Sequence, residues 1–429
     1  MSKKSLIIGI AAVMTLPTLA AANGLNLNGL GTRAQAMGGA YVSLANDFSA
    51  VFWNPAGAAG FRKDIFGFYA LDLMPRATYF VDQTRIPEEP PTVDAKTPTA
   101  HYLGFLGAYY KPIGSKVVVG LGISTPSGLG TKWDGQDFVR LSGGTAFDWS
   151  SKIGVFSVSP LVAVKLSDWL SVGATLNVNL GTFNLKMPGG SADLGEGTVP
   201  LGQYEEQMTG WGFGATFGVM AKPADSFAIG LTVRTPSTAS FKGAANLSYL
   251  SMYDLPGSSE LRRKITWPLW IAGGLSFRPF ERLLLSADVH WTQWSKLDRI
   301  TTDYLDGVWA TLMAAGHKDV QVLDWKDATQ IRFGAEYMLN TTTTLRAGYY
   351  NDPAPGPDPT INVLLPTYTY NALSVGLGKT LGDLQLDFGL EYLAGNKRRP
   401  YQDVFLDSGM PGTYTMRIVV PSVSIQYKF

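Results

Sequence analysis

The chain has 429 residues, of which 45% are hydrophobic, 12% aromatic and only 16% charged, and it contains no cysteine. This composition excludes a disordered chain, a disulfide scaffold, a thiolate metal site and a cysteine nucleophile. Because 35 basic side chains nearly balance 34 acidic ones, no surface for nucleic acid is indicated, and the abundant glycine and aromatic residues favour a membrane β-barrel.

The N-terminus has the features of a secretory signal peptide. Lys3 and Lys4 precede an apolar run over residues 6–16, and three alanines at 20–22 form a small-residue cleavage site. The alternative is a membrane anchor helix, but that run is far shorter than the roughly 20 residues that a spanning helix needs. We therefore predict a signal peptide over residues 1–22.

Residues 23–60 are rich in Gly and Ala and do not alternate, so they do not fit a strand. This segment could extend into the periplasm or fold into the barrel lumen. Phe48, Phe52 and Trp53 are too apolar for a solvated tail, and a wide barrel that is not an open pore needs filling. We predict that residues 23–60 form a hatch, a plug inside the lumen.

The remaining chain alternates with period two, which predicts strands with one apolar and one polar face. The clearest stretch covers 170–180, and the pattern returns at 211–219, 227–233, 330–337 and 384–392. A soluble sandwich also alternates, but these stretches reach the length of about ten residues that crosses a bilayer. Glycines 212, 214 and 218 lie inside one such strand, so we expect them to make room for the plug rather than to bind phosphate.

Connections of two lengths alternate along the chain, which is typical of outer-membrane barrels. Six short and seven long connections join fourteen strands. We therefore predict an all-β fold, a 14-stranded antiparallel transmembrane β-barrel over residues 61–429 whose apolar faces meet lipid. The short connections are 112–115, 166–168, 222–225, 278–281, 340–342 and 380–383, and the long ones are near 83–98, 126–150, 184–207, 236–263, 295–326, 351–367 and 395–413.

The chain ends in an alternating strand with the terminal aromatic residue Phe429. This ending resembles the signal by which the barrel-assembly machinery of Gram-negative outer membranes recognises its clients, although an ordinary closing strand looks similar. We predict a monomeric protein of the outer membrane of a Gram-negative bacterium. It is expected to contact outer-membrane lipid and lipopolysaccharide and to meet the assembly machinery through Phe429.

Seven segments stand out by their order and spacing: LGTRAQAMGGAYVSLANDFSAVFWNPAGAAG at 30–60, STPSGLG at 124–130, Trp267-Pro268, ADVHWTQW at 287–294, Trp325-Lys326-Asp327, RFGAEY at 332–337 and LRAGY at 345–349. Together they resemble the FadL family of outer-membrane transporters for long-chain fatty acids and, in its TodX branch, aromatic hydrocarbons. One departure is the segment 365–371, where the family usually has a second Pro-Asp followed by Arg.

The resemblance implies passive transport of a hydrophobic molecule. The substrate is captured in a groove of the outer loops, moves to a pocket lined by the hatch, and leaves sideways through a kink in the barrel wall. The residues Asn54, Pro55 and Ala56 match the family's hatch motif, for which the alternative is a plain Asn-Pro turn. Phe48, Phe52 and Trp53 are then candidates for the pocket.

The long loop over 295–326 is the candidate for the capture groove. Its apolar residues recur near helical spacing, which predicts a short amphipathic helix. The alternative is that they only pack the loop onto the rim of the barrel. These residues are Tyr304, Leu305, Val308, Trp309, Leu312 and Met313.

Charged residues on the lumen face include Asp288, Arg332, Glu336 and Arg346. One interpretation is that they pair and hold the hatch to the wall; the other is that Arg332 or Arg346 meets a substrate headgroup. Where the family binds a fatty-acid carboxylate, this chain has Thr182 and Asn184, and the nearest lysine is Lys186. Long-chain fatty acids are the predicted substrate, with monoaromatic hydrocarbons, alkanes or a general porin as alternatives.

The sequence gives little support for catalysis. Asp288 and His290 share one face and could orient an imidazole, but no nucleophile motif accompanies them. No metal-ligand cluster is evident. We predict a protein that is not an enzyme and that needs neither metal nor cofactor.

Overall fold

The computed structural model describes residues 24–82, 92–194, 197–400 and 409–429, so the predicted signal peptide lies outside the described residues. The helices are α1 (Thr32–Ala36), α2 (Ala50–Trp53) and α3 (Gly307–Ala315), with 3-10 helices at Pro55–Gly60, Gly135–Ser142, Leu250–Tyr253, Trp294–Lys296 and Asp358–Thr360. In this part of the chain, no helix is long and apolar enough to cross a membrane.

The strands of the described residues run in chain order around the molecule. They are β1 (Ile65–Asp82), β2 (Thr92–Lys96), β3 (Tyr102–Ile113), β4 (Val117–Trp133), β5 (Trp149–Lys165), β6 (Leu170–Pro188), β7 (Ser191–Asp193), β8 (Thr198–Pro200), β9 (Gln203–Ala224), β10 (Phe227–Arg234), β11 (Ser237–Leu247), β12 (Ser258–Trp267), β13 (Trp270–Phe280), β14 (Leu283–Thr292), β15 (Arg299–Tyr304), β16 (Val320–Val322), β17 (Ala328–Asn340), β18 (Thr343–Asp352), β19 (Tyr370–Leu381), β20 (Leu384–Gly395) and β21 (Thr413–Lys428).

Fourteen antiparallel spans form a closed barrel, as predicted. The last strand, β21, pairs with β1, which also pairs with β3, so the sheet closes on itself. Two spans are interrupted, one between β10 and β11 at Pro236 and one between β12 and β13 at Pro268. Proline has no backbone N–H to donate to a ladder, which explains the position of both breaks.

The six short connections lie where the sequence predicts them, and the seven long ones do too, but several are shorter than expected. β4 continues to Trp133, β6 continues to Pro188, and β11 and β12 occupy most of the predicted loop over 236–263. The first strand begins at Ile65 rather than at Phe61. We call the long-loop end of the barrel the outer end and the short-turn end the inner end.

The strand extensions were not predicted because the polarity of the two faces reverses along a strand. In the lower part of β9, Trp211, Phe213 and Phe217 point outward and are exposed. Nearer the outer end, the inward residues Tyr204 and Met208 are apolar and buried, and their outward neighbours are polar. An outer surface that leaves the lipid hydrocarbon must become polar, whereas the lumen at that height encloses an apolar cavity.

Residues 24–60 fill the lumen as the predicted hatch, and α1 packs against β18, β19, β20 and β21. Strand glycines allow this contact, because a Cβ added to them would lie less than 3.0 Å from a hatch atom. These glycines are Gly67, Gly122, Gly173, Gly218, Gly230, Gly334, Gly348, Gly376 and Gly389. Of the three glycines expected to face the plug, only Gly218 does so, since Gly212 and Gly214 abut the neighbouring wall strand.

Candidate substrate site and exit path

An apolar cavity of about 310 Å³ lies in the outer half of the lumen, and we call it the outer cavity. Its wall side is lined by the inward residues of the strand extensions, among them Ile153, Leu185 and Ile265, and its loop side by Met313. Leu25, at the start of the hatch, closes it from below. An apolar cavity with few polar groups is the usual form of a site for a hydrophobic small molecule.

A buried ion pair forms one polar edge of the outer cavity. Arg263 donates to both carboxylate oxygens of Glu206 at 2.7 and 3.0 Å, and it also donates to the Thr302 hydroxyl. Tyr204 donates to Glu206 at 2.6 Å and shares a 2.8 Å hydrogen bond with Tyr304. The positive charge of Arg263 is therefore already balanced within the protein.

Lys318 is a second cation at the outer cavity, and its situation differs. Its ammonium group donates to the Gly189 carbonyl at 2.6 Å, and within the described residues no carboxylate lies within 4.0 Å of it. Burial lowers the pKa of Lys318 relative to an exposed lysine. This loop ammonium group can meet an anionic headgroup without first breaking an ion pair.

The structure divides the six predicted groove residues. Asp306 caps the N-terminus of α3, since its carboxylate accepts from the amides of Val308 and Trp309. Trp309 is fully buried and donates to the Pro256 carbonyl at 2.7 Å, so it holds the loop onto the rim. Leu305 and Val308 are exposed, Leu312 packs partly buried, and only Tyr304 and Met313 line the outer cavity.

The hatch motif joins the hatch to the wall. The Asn54 amide group donates to the Val42 carbonyl at 2.9 Å and to the Val219 carbonyl of β9 at 3.0 Å, and Oδ1 accepts from the Ala56 amide. Gly173 and Gly218 lie directly opposite each other on β6 and β9. A Cβ on either glycine would collide with the motif, at 2.5 Å from Pro55 or 2.0 Å from Asn54.

The three hatch aromatics have different surroundings. Phe48 packs over Gly67 of the wall, and Trp53 is buried with its indole N–H donating to the Leu30 carbonyl at 2.7 Å. Phe52 is the one of these three that lines a cavity. That cavity is a space of about 70 Å³ between the hatch and the wall with both apolar and polar side chains in its lining, and we call it the inner cleft.

The inner cleft lies nearer the inner end than the outer cavity, along the same strand β5. Ile153 of this strand lines the cavity, and Ser157 and Ser159 line the cleft. The guanidinium group of Arg234 lies 4.7 Å from the ring centres of both Phe52 and Trp270. It donates to the Phe52 carbonyl at 3.0 Å, and no carboxylate within the described ranges forms an ion pair with it.

The wall is interrupted next to this cleft, between β3 and β4. Their ladder runs from Ile113 and Val117 up to Leu106 and Ser124 and ends there. At Thr125 and Pro126 the register between β4 and β5 shifts as well. The side chain of Leu103, at the outward rim of this break, is 81% exposed.

The first residues of the hatch occupy the inner side of this break. The Leu27 amide donates to the Pro126 carbonyl at 3.1 Å, and Asn26 forms an isolated antiparallel bridge with Ser127. The Ser127 hydroxyl also bonds the Asn26 side chain at 3.0 Å. We call residues 24–27 the N-terminal arm, since they touch the outer cavity at one end and the wall break at the other.

Two of the predicted lumen charges form an ion network with the hatch. Arg33 of α1 donates to both oxygens of Glu336 at 2.7 and 2.9 Å. Arg346 donates to Glu336 at 2.8 Å and to Asp387 at 2.6 Å. This network joins the hatch to β17, β18 and β20.

The other two lumen charges contact the hatch backbone. Asp288 accepts from the amides of Tyr41 and Val42, both at 2.8 Å, and Arg332 donates to the Gly38 carbonyl at 3.1 Å. Arg332 and Arg346 line neither the outer cavity nor the inner cleft. Their role as headgroup contacts stays a prediction, while Arg332 contacts the hatch directly and Arg346 is joined to it through Glu336.

The position suggested for a carboxylate contact faces away from the outer cavity. Phe183, Leu185 and Met187 of β6 line that cavity, so the alternate residues 182, 184 and 186 point outward. Lys186 is ion-paired there with Glu205 at 3.0 Å. Lys318 was not identified from the sequence, because a loop position carries no periodic signal.

A sequence model of the family described as "Outer membrane protein transport protein (OMPP1/FadL/TodX)" matches residues 11–429. The chain belongs to this family. Membership shows an outer-membrane protein that transports hydrophobic compounds, which confirms the predicted family and location. A "47 kDa outer membrane protein" of Pasteurella multocida is 24% identical over 339 residues, covering 74% of this chain and 75% of that protein.

Other relatives of this FadL/TodX family member agree. A putative outer membrane protein of Neisseria meningitidis serogroup B is 23% identical over 366 residues, covering 78% of this chain and 77% of that protein. A FadL homologue of Pseudomonas aeruginosa has a similar structure, with a TM-score of 0.75, 18% identity and coverage of 95% and 100% of the two chains. The toluene transporter TodX of Pseudomonas putida also has a similar structure, with a TM-score of 0.74, 19% identity and coverage of 94% of this chain and 99% of that chain. These structures establish the fold.

Within the described ranges, no group of three or more His, Asp and Glu side chains could hold a metal ion. His290 lies 3.3 Å from Asp288 and beside the rings of Trp53 and Trp270, deep under the hatch. Neither residue lines the outer cavity or the inner cleft. In this FadL/TodX family member, the pair therefore packs the hatch against the wall.

Proposed function

We propose that this protein carries long-chain fatty acids passively across the outer membrane and is not an enzyme. The observation that carries the proposal is the outer cavity, an apolar space closed from below by Leu25 of the N-terminal arm. Burial of an acyl chain there supplies affinity at roughly 25 cal/mol per Å² of apolar surface. The transport step needs no cofactor, since the substrate moves down its own concentration gradient.

Two cations suit a substrate with a carboxylate at one end. Lys318 lies at the outer cavity and Arg234 at the inner cleft, and neither belongs to an ion pair among the described residues. The Ser, Thr and Asn side chains of the cleft favour a polar headgroup over a bare hydrocarbon. The carboxylate of a fatty acid can therefore move from Lys318 to Arg234 as the molecule passes towards the inner end.

The substrate path in this proposal has three stages. The exposed Leu305 and Val308 of the outer loop first collect the molecule, which then enters the outer cavity. Displacement of Leu25 pulls the N-terminal arm away from Pro126 and Ser127. The substrate then leaves sideways through the break between β3 and β4, over the exposed Leu103, into the lipid.

The predicted partners complete the proposal. Phe429 is 64% exposed at the inner end, where its amide donates to the Asp64 carbonyl, so its ring is accessible to the assembly machinery. The protein acts as a monomer in contact with outer-membrane lipid and lipopolysaccharide. Each barrel then contains a whole pathway, from loop to wall break.

Uptake of a labelled long-chain fatty acid tests the proposal. Uptake is compared between cells that lack their own transporter and the same cells expressing this protein. Toluene is added as competitor. We expect uptake that depends on the protein and that toluene reduces only weakly. Protein-dependent toluene uptake without fatty-acid uptake would favour the monoaromatic alternative, and a steady large conductance in planar bilayers would favour a porin.

A further inference from the structure

On one side of the barrel, the outward-facing residues change from apolar to polar along the strand. This change marks where the lipid hydrocarbon ends. On β9 the exposed outward residues Phe217, Phe213 and Trp211 are apolar, and the next outward residues towards the outer end are Thr209 and Gln207. Aromatic residues typically form a girdle at this boundary. Trp211 therefore lies at the outer limit of the hydrocarbon.

Three cations lie on the neighbouring strands at this limit. Lys264 of β12 is opposite Ser240, which is itself opposite Trp211. Lys242 of β11 is opposite both Thr209 and Arg262. Because a strand rises about 3.3 Å per residue, Lys242 and Arg262 lie about 7 Å beyond the level of Lys264.

All three side chains point away from the lumen. The residues next to them in the chain are buried and face inward. These are Phe241 beside Lys242, Leu261 beside Arg262, and Ile265 beside Lys264. Lys242, Arg262 and Lys264 are exposed on the opposite face. We call these three residues the outer basic patch.

The cations of the outer basic patch form no ion pair among the described residues, unlike other cations of this region. Lys186 is paired with Glu205, and Arg263 with Glu206, but within the described residues none of the patch cations has a carboxylate within 4.0 Å. Asp303 lies directly opposite Arg262, and Glu260 lies two residues before it on the same face, but both carboxylates stay beyond that distance. The three cationic groups are therefore available to an anion outside the barrel.

We propose that the outer basic patch binds the phosphate groups of lipid A, the membrane anchor of lipopolysaccharide. Adjacent strands lie about 4.8 Å apart, so three long side chains can converge on one headgroup that carries two phosphates. Lipid A places those phosphates directly above its acyl chains, at the height of the patch. This inference goes beyond the transport proposal and stands whichever hydrophobic substrate is carried.

The test compares lipids on the purified full-length protein in detergent micelles. Affinities for lipopolysaccharide, monophosphoryl lipid A and phosphatidylglycerol are measured by titration of the unmodified protein and of the triple variant Lys242→Gln, Arg262→Gln and Lys264→Gln. We expect the triple variant to bind lipopolysaccharide at least about tenfold more weakly. Its affinity for phosphatidylglycerol should be unchanged, and the unmodified protein should prefer the diphosphorylated lipid.

A matched control removes the positive charges of two lysines and one arginine whose side chains are also exposed, but at the inner end of the barrel. This variant carries Lys111→Gln, Lys116→Gln and Arg282→Gln, and it should bind lipopolysaccharide like the unmodified protein. A charge-preserving variant with Lys242→Arg, Arg262→Lys and Lys264→Arg should also retain binding. Unchanged binding by the glutamine triple variant, or an equal loss for phosphatidylglycerol, would overturn the proposal.

Discussion

Asn26 and Ser127 form an isolated antiparallel bridge between the N-terminal arm and the interrupted wall strand β4. The same serine accepts from the Trp267 indole at 2.8 Å, so the arm, β4 and β12 meet at one hydroxyl. One residue before the bridge, Leu25 lines the outer cavity. A residue that lines the outer cavity and a residue bound at the wall break are therefore adjacent in the chain.

Locking this bridge should stop transport. The chain has no cysteine, so the double variant Asn26→Cys and Ser127→Cys introduces one defined disulfide, and bridged residues of opposing strands lie within disulfide reach. We expect fatty-acid uptake to be lost under oxidising conditions and restored by reductant. The two single-cysteine variants serve as controls, and undiminished uptake at full cross-linking would contradict the gating role of the arm.

Adding a side chain at Gly218, where the hatch motif packs against the wall, should loosen the hatch. A Cβ at Gly218 would lie 2.0 Å from Asn54, so Gly218→Ala forces the motif from the wall at a cost of about 1–3 kcal/mol. We expect a lower unfolding temperature and reduced uptake. Gly273→Ala is the matched strand control because open space surrounds that position, and equal behaviour of the two variants would argue against a seated hatch.

Replacing the hatch motif should impair transport without blocking assembly. Asn54→Ala together with Pro55→Ala leaves the carbonyls of Val42 and Val219 without their donor, at a cost of about 1–3 kcal/mol for each buried group. Uptake and surface level are measured on the same cells. Normal uptake at a normal surface level would show that the motif is only a turn.

Lys318 should distinguish acids from hydrocarbons. Lys318→Met removes the free cation at the outer cavity, so we expect about tenfold weaker binding of a fatty acid and unchanged binding of toluene, measured by titration. Lys296→Met, an exposed loop change, is the control. A parallel loss for both ligands would mean that Lys318 only supports the loop.

The same lysine should make fatty-acid binding sensitive to alkaline pH. Lysine carries its charge below its pKa, and burial lowers the pKa of Lys318. The attraction to a carboxylate is therefore present at neutral pH and lost as pH rises through that lowered value, before the usual pKa of about 10.4 is reached. Lys318→Arg should keep its affinity over this range, and an identical pH profile for both proteins would exclude the lysine.

Arg346 should act on stability rather than on substrate choice. It lies buried between Glu336 and Asp387. Arg346→Gln leaves Asp387 without its ion pair, while Glu336 keeps Arg33, so we expect a cost of about 3–5 kcal/mol. We expect a lower unfolding temperature and an unchanged ratio of fatty-acid to toluene affinity. A selective loss of the fatty acid would support the headgroup role instead.

Local signals were sufficient for the architecture. Period-two alternation, as in Leu170 to Leu180, reports two faces with different surroundings, and turn length reports which strands are neighbours. Both signals lie within short stretches of chain, so the barrel, its fourteen spans and the lumenal hatch were predictable. The extensions of β11 and β12 were missed because their inward residues, such as Phe241 and Ile265, are the apolar ones.

The candidate site depends on contacts between distant parts of the chain. Sequence by itself determined the fold class, the hatch motif and the family, because each is encoded in contiguous residues. Only the tertiary structure brought Leu25, Ile265 and Lys318 to one cavity. Only it showed Arg346 ion-paired, while Lys318 and Arg234 form no ion pair with any described residue. Burial and charge compensation are properties of the closed barrel, since closure decides which side chains share a space.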